Sequence, residues 1–146
     1  MPKITYVGLI HLFGKLLLLL FFCNACTFPK DPNNSYNKAK TTFLRVGIVS
    51  QIDSTKIARE KQLLQTFADG EGMQTKFVTN NETALIKKLE KYELDIVMGG
   101  FEKKSNWHTK VGMTSPYDST HVFFIPKGEN RLLFQLERFI TNNKKS

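Results

Sequence analysis

Residues 95–117 read DIVMGGFEKKSNWHTKVGMTSPY, and this stretch indicates the fold most clearly. A short apolar run ends at Gly99 and Gly100, and a polar loop with the only tryptophan of the chain, Trp107, leads to Tyr117. An apolar run of this length is typical of a buried strand. Two glycines allow the backbone to turn sharply and to approach a ligand closely. The stretch therefore predicts a buried strand that opens into a ligand cleft.

Apolar strand patterns and helical patterns alternate along the rest of the chain. Strands are predicted at residues 43–49, 74–79, 94–99 and 121–126. Helices are predicted at residues 56–69, 82–91 and 127–140. Alternating strands and helices form an open, mostly parallel sheet, in which right-handed crossovers place the second strand outside the first and the third on its other side. We therefore predict the α/β class, with about five strands and helices on both faces.

Asparagines mark the expected starts of two helices. Asn80 and Asn81 are good N-cap candidates for the helix that follows them. Glu82 suits the first turn of that helix, because carboxylates are favoured near a helix N-terminus. Asn130 is the candidate N-cap of the last helix.

The first 25 residues have the pattern of a secretory signal peptide. Residues 1–15 carry two lysines, residues 16–22 read LLLLLFF, and the small residue Ala25 precedes Cys26. A transmembrane anchor is the weaker interpretation, because a span needs about 20 apolar residues and Lys15 interrupts this run. The pair Ala25-Cys26 is similar to the end of a bacterial lipobox, in which the cysteine becomes the lipidated first residue. Cleavage after Ala25 without lipidation is the alternative.

The chain after the signal peptide divides into a linker, one domain and a tail. Residues 26–42 are polar, contain two prolines and show no apolar periodicity, which is typical of a flexible linker. Residues 43–141 hold enough aliphatic and Phe residues for one modest core, and residues 142–146 form a polar tail. The signal peptide predicts a location in the periplasm or cell envelope, with a lipid anchor at Cys26.

The composition argues against a nucleic-acid partner. The chain has a net charge of +8, from 21 Lys and Arg residues against 13 Asp and Glu residues. The lysines are scattered, and the sequence has neither a basic stripe with interleaved aromatics nor a known nucleic-acid module. We expect a solvated basic surface, with weak attraction to anionic membranes as an alternative.

Catalytic and metal chemistry find little support in the sequence. It contains no GxSxG nucleophile motif and no GxxxxGK[ST] phosphate loop, and both cysteines lie in the export signal. Asp53 and Glu102 could act as an acid–base pair at strand ends, but solvated loop carboxylates are far commoner. The candidate metal ligands lack the spacing of any ligand motif; they are His108, His121, Glu102 and Asp118. We expect no enzymatic activity, cofactor or metal.

Ligands gather beyond the carboxyl ends of the strands in open α/β sheets. Polar residues or glycines follow each of the first three predicted strands, although ordinary turns have the same composition. The candidate ligand-binding residues are Ser50, Gln51, Asp53, Asn80, Gly99, Gly100, Phe101 and Glu102. Trp107 either stacks over such a ligand or packs down as a lid. Tyr117 either packs at the turn after Pro116 or contacts the ligand.

Several segments together resemble a known family. They are LRVGIV at 44–49, a helix with Glu60 and Leu63, LEKYELDIVMGG at 89–100, VGMTSPY at 111–117, and the segment from His121 to Phe139. They resemble the bacterial extracellular solute-binding proteins of family 3, which serve amino-acid uptake. The likeness is strongest to a short subgroup that consists of one small domain.

The resemblance implies one lobe of a periplasmic-binding-protein fold. It implies an exported, lipid-anchored domain that binds a small polar solute such as an amino acid and serves the membrane subunits of an ABC-type transporter. Full-length members have a second lobe, and a homodimer could rebuild that half of the cleft here. The family's amino-acid clamp uses a Thr and an Arg, and these positions correspond to Lys104 and Trp107. Trp107 cannot grip a carboxylate bidentately as an Arg does.

Two other functions stay open at this point. The first is an envelope interaction protein that kept the fold without ligand binding. The second is a regulatory lobe related to those that are fused to cell-wall lytic enzymes. The fold alone does not choose between them, because one fold hosts many functions.

Overall fold

Five strands form one sheet in the computed structural model, which describes residues 31–144. The strands are β1 (Leu44–Val49), β2 (Thr75–Asn80), β3 (Ile96–Glu102), β4 (Gly112–Met113) and β5 (His121–Ile125). Their order across the sheet is β2-β1-β3-β5-β4. β1 pairs in parallel with β2 and β3, whereas β5 pairs antiparallel with β3 and β4. The predicted placement of the second and third strands on either side of the first is confirmed.

Helices cover both faces of this sheet, as predicted. They are α1 (Ser35–Thr41), α2 (Ser54–Gly70), α3 (Glu82–Glu90) and α4 (Asn130–Asn143). Side chains of α1, α2 and α4 pack against one face, and side chains of α3 pack against the other. The predicted α/β class is therefore confirmed.

The larger core lies between the sheet and the three helices α1, α2 and α4. Successive strand residues point to opposite faces, so Val46 and Ile48 of β1 both face this core. Phe67 of α2 covers them from the helical side. α4 contributes a stripe with a spacing of four residues, made of Leu132, Leu136 and Ile140. Each such side chain contributes about 1.5–3 kcal/mol when fully buried.

The smaller core lies under α3, on the other face of the sheet. Leu85, Ile86 and Leu89 of that helix are fully buried against strand residues of β3 and β5. The rings of Phe101 and Phe124 stack there, with centroids 3.9 Å apart. The stack joins the end of β3 to β5 by aromatic contact as well as by backbone pairing.

The prediction of a flexible linker is wrong for the part of residues 26–42 that the structure describes. Residues 35–41 form α1, whose Tyr36 and Ala39 are buried in the larger core. The carboxylate of Glu129, itself buried, accepts hydrogen bonds from the backbone N–H groups of Asn33 and Ser35 at 2.7 Å each. The physical reason for α1 is therefore a cap and a core supplied by distant parts of the chain.

Two predicted helix starts have different outcomes. Asn81 is the N-cap of α3, and its side-chain oxygen accepts from the N–H of Ala84 at 2.9 Å, which confirms that assignment. Asn130 is already the first residue of α4, and its side chain does not cap the helix. The N–H of Arg131 donates instead to the carboxylate of Asp31 at 2.8 Å. The helix also extends through residues 142 and 143, which we had expected in the tail.

The strand predicted at 94–99 runs on through both glycines to Glu102. Its pairing with β5 is irregular between Val97 and Phe101, where the ladder shifts register. The loop after it contains a 3-10 helix (Asn106–Thr109) and the short β4, which sequence patterns did not indicate.

The predicted signal peptide at 1–25 and the lipidation site at Cys26 lie outside the described residues. None of the helices within 31–144 is long and apolar enough to cross a membrane.

Candidate functional site

The ends of β1 and β2 lie side by side at the carboxyl edge of the sheet, as predicted. The N–H of Ser50 donates to the carbonyl of Asn80 at 2.9 Å, and the Asn80 side chain accepts from the N–H of Asn81 at 2.8 Å. Gln51 is exposed and has a left-handed backbone, with φ at 72°. These polar groups lie at the carboxyl ends of β1 and β2.

Asp53 is the N-cap of α2. Its carboxylate accepts from the N–H of Thr55 at 2.8 Å and from the Thr55 hydroxyl at 2.7 Å. The hydroxyl and the N–H of Thr55 together lower the pKa of Asp53. The Asp53 side chain therefore caps the helix that carries Glu60.

Gly99 and Phe101 face the smaller core, and the structure does not place them at a ligand surface. A Cβ added to Gly99 would lie 2.7 Å from Cγ2 of Val49, so only glycine allows β1 and β3 to pack this closely. Phe101 is buried in its stack with Phe124. Their selection as ligand contacts is corrected, because the alternation of β3 directs both residues toward the smaller core, on the face opposite to Gly100.

Gly100 lies on the opposite face and is the centre of the site. Its φ is 64°, a conformation that glycine adopts without strain. Its N–H donates to Oε1 of Glu60 at 2.9 Å, and the hydroxyl of Tyr117 donates to the same oxygen. One carboxylate thus joins α2, the end of β3 and the segment that leads to β5.

Glu60 is the feature that sequence reasoning missed. Its side chain is only 2% exposed, and its second oxygen, Oε2, has no hydrogen-bond partner among the described residues. Leaving a buried carboxylate oxygen unpaired is costly. A signal was present in the sequence, because Glu60 interrupts the apolar stripe of Ile57, Leu64 and Phe67 on α2.

Two neighbouring cavities open at this cluster. The first has a volume of about 180 Å³ and is lined by Lys56, Arg59, Glu60, Gly100, Tyr117, Asp118 and His121. The second has a volume of about 300 Å³ and is lined by Arg59, Gln62, Leu63, Thr66, Tyr117, Ile140 and Asn143. Arg59 and Tyr117 line both cavities, so the two spaces adjoin.

The first cavity carries charges of both signs. Burial, together with the nearby carboxylate of Glu60, raises the pKa of Tyr117, so its phenol remains a hydrogen-bond donor. Partial burial opposes ionisation of Asp118, but the N–H groups of His121 and Thr120 and the His121 ring lower its pKa to about 2. The ring nitrogen Nδ1 of His121 lies 2.8 Å from the Asp118 carboxylate. Asp118 is therefore an anion at neutral pH.

Trp107 does not cover these cavities. It packs against the smaller core, and its indole N–H donates to Glu82 at the start of α3. The ammonium group of Lys110 lies 5.4 Å from the centroid of its ring. Trp107 therefore acts as a packing residue of the α3 face, and the alternative of a stack over ligand is not supported.

Glu102 and Lys104 form an exposed ion pair of 3.1 Å beyond the end of β3. Tyr117 stacks on Phe123 with ring centroids 4.5 Å apart, so it both packs and lines the cavities. Within the described part of the chain, no three His, Cys, Asp or Glu side chains come together as a metal site.

Known structures share the fold of this chain. A point mutant of the arginine-bound form of domain 1 from TmArgBP has a TM-score of 0.68 and 18% identity, and the match covers 76% of this chain and 99% of that chain. An ancestral cationic amino acid solute-binding protein, AncCDT-1, has a TM-score of 0.60 and 14% identity, and covers 75% of this chain and 92% of its own. No curated protein sequence matches.

A mutant of ArgBP from T. maritima has a TM-score of 0.50 and 19% identity, and the match covers 57% of this chain and 41% of that chain. These likenesses establish that the chain has the fold of one lobe of a solute-binding protein. The family model of the bacterial extracellular solute-binding proteins, family 3, matches residues 57–145, which is more than half of the chain. The chain therefore belongs to the bacterial extracellular solute-binding proteins, family 3.

Proposed function

We propose that this chain is an exported solute-binding domain of an ABC-type uptake system and that it binds a small amino-acid-like solute beside Glu60. Membership of an extracellular solute-binding family supports export and solute binding. The likeness to a separate domain 1 in its arginine-bound form supports binding by a single lobe.

One observation carries the choice of site. The cavity beside Gly100 is lined both by Glu60, whose buried carboxylate has an unpartnered oxygen, and by the cationic Lys56 and Arg59. An amino acid carries one ammonium and one carboxylate group, so each would meet its opposite charge there. Pockets that bind small molecules typically combine apolar walls with a few convergent polar groups of this kind.

The cellular setting is part of the same proposal. The pattern of residues 1–25 favours export, and Ala25-Cys26 favours a lipid anchor that holds the domain at a membrane. Transporter membrane subunits are then the protein partners. We propose binding without catalysis, because the phenol of Tyr117 keeps its proton and no nucleophile motif accompanies Glu60.

The test is thermal unfolding of residues 27–146, which include both cores, against a panel of amino acids, small amines and organic acids. Ligand at 100 times its dissociation constant stabilises by about 2.7 kcal/mol. For a domain of this size we expect the midpoint to rise by about 10 °C. A Trp107→Phe variant serves as the control and should respond as the wild type does, because Trp107 lies on the other face. A flat panel on a folded domain would favour an envelope interaction protein.

A further inference from the structure

We infer that the two adjoining cavities form one site for α-amino acids with uncharged side chains. The ammonium group binds Oε2 of Glu60, the carboxylate binds Arg59, and the side chain enters the space between α2 and α4. The inference rests on the function proposed above and narrows it to a class of solute.

The ammonium position follows from the hydrogen bonds of Glu60. Both protein donors, the Gly100 N–H and the Tyr117 hydroxyl, use Oε1, and Oε2 is left buried without a partner. A charged donor is the strongest partner for a buried carboxylate oxygen. The Tyr117 hydroxyl uses its hydrogen to donate to Oε1 of Glu60, so its oxygen lone pairs can still accept a hydrogen bond from the same ammonium group.

The carboxylate position follows from Arg59. This residue precedes Glu60 on α2, and its side chain lines both cavities. Among the ion pairs of the described residues, none involves Arg59. Its guanidinium can therefore hold a ligand carboxylate through two parallel hydrogen bonds. The two charged ends of the amino acid are thus recognised by neighbouring residues of one helix.

The class of side chain follows from the walls of the larger cavity. Leu63 and Ile140 supply apolar surface there. The neutral polar groups are those of Gln62, Thr66 and Asn143. Arg59 is the single charged residue in this lining, and no carboxylate accompanies it. A lysine or arginine ligand would bring a second cation beside Arg59 without a counter-ion, so side chains such as those of glutamine, methionine or leucine fit better.

The first experiment is calorimetric titration of residues 27–146 with glutamine, methionine, leucine, lysine and arginine. We expect the uncharged amino acids to bind at least about tenfold more tightly than lysine and arginine, which corresponds to about 1.4 kcal/mol. Equal or tighter binding of lysine or arginine would overturn the class of solute and leave the proposed function standing. If no amino acid bound, both the class of solute and the proposed function would be overturned.

The second experiment tests the placement with two variants. Glu60→Gln removes the charge that holds the ammonium and should weaken binding by about 10- to 100-fold. The matched control is Glu90→Gln, at the exposed end of α3, which should bind as the wild type does. Thermal unfolding of each variant checks the fold.

Thr66→Phe places a ring at the rim of the larger cavity and leaves the Glu60 cluster intact. It should lower the affinity for glutamine and leucine more than the affinity for alanine. Unchanged glutamine affinity in Glu60→Gln, or an equal loss for all amino acids in Thr66→Phe, would overturn the placement. In that case solute binds elsewhere on the domain.

Discussion

Glu60 occupies a position on α2 where its helical neighbours Ile57, Leu64 and Phe67 face the larger core. A carboxylate there is buried at a cost, and two hydrogen bonds to one of its oxygens offset part of that cost. The same residue thereby ties Gly100 and Tyr117 to α2 through one hydrogen bond each. A structural role and a binding role can coexist, because each uses a different oxygen.

Asp118 determines how the rim of the cavity responds to acid. Its pKa falls from the usual 3.8 to about 2 in the folded chain, so its ionised form stabilises the fold above pH 4. This contribution is lost as the pH falls from about 4 to about 2. We expect Asp118→Asn to lower the free energy of unfolding by about 1 kcal/mol at pH 7, since solvent screens this partly exposed carboxylate. Urea unfolding of both proteins at pH 7, 4, 3 and 2 measures the difference.

The difference between wild type and Asp118→Asn should shrink over that range of pH. A difference that stays constant down to pH 2 would show that the carboxylate charge does not contribute. The matched control is Asp69→Asn on α2, at an exposed carboxylate that accepts from the Gln65 amide at 2.9 Å; it should change the free energy of unfolding at pH 7 by less than about 0.5 kcal/mol.

The candidate site could be predicted from the sequence only in part. The rule that ligands gather at the carboxyl ends of parallel strands led to Gly100, which lies in the cluster, and Tyr117 was selected with it. The same rule selected Gly99 and Phe101, which face the opposite way. Strand alternation through an irregular ladder cannot be read from composition, and the partners of Glu60 lie 40 and 57 residues away in the chain.

At the scale of elements, α1 is held by contacts with distant parts of the chain, among them Glu129 at the start of α4. A helix of seven residues is marginal alone. The buried carboxylate of Glu129 holds its first turn through the N–H groups of Asn33 and Ser35. We expect Glu129→Ala to lower the free energy of unfolding by about 2 kcal/mol, because one buried and one partly buried N–H group lose a charged acceptor. Urea unfolding gives the loss, and hydrogen exchange at the amides of residues 35–41 locates it.

Glu90→Ala is the matched control for Glu129→Ala. Glu90 is exposed at the end of α3, so its replacement should change stability by less than about 0.5 kcal/mol. If Glu129→Ala left the exchange rates of α1 unchanged, the helix would be held by its apolar contacts alone.

Helices and strands whose apolar residues recur at a regular spacing could be predicted from the sequence, and the other elements could not. The helix from residue 54 to residue 70 and the strands β1 and β2 have apolar spacing that shows in the sequence within one or two residues of their observed ends. α1 has no such spacing, and the acceptor for its Ser35 N–H lies 94 residues away. β3 continues through Gly99, where Val49 leaves no room for a Cβ, and through Gly100, whose φ of 64° favours glycine. From local sequence alone, two successive glycines indicate the end of a strand.

At the scale of the whole molecule, the inferred site is complete within one lobe. All of its lining residues come from α2, α4 and the segments around β3 and β5. Among the described residues, the large hydrophobic side chains with substantial exposure are Phe43 at 45% and Phe134 at 62%. Isolated exposed hydrophobics of this kind do not make a stable interface.

We therefore expect residues 27–146 to sediment as a monomer, with and without amino acid, and to bind one ligand per chain. Analytical ultracentrifugation gives the mass, and calorimetric titration gives the stoichiometry. A dimer that forms only with ligand, at one ligand per two chains, would show instead that a second copy supplies the missing half of the cleft.

The hydrogen bonds of Asp31 and Glu129 also have a mechanical consequence. They fasten the amino-terminal segment to the start of α4, at the amino end of the sheet, while the cavities open at the carboxyl end. A pull on the chain ahead of Asp31 reaches the folded domain through these carboxylates. Such a force therefore acts first on α1 and α4, at the end of the sheet opposite to the cavities.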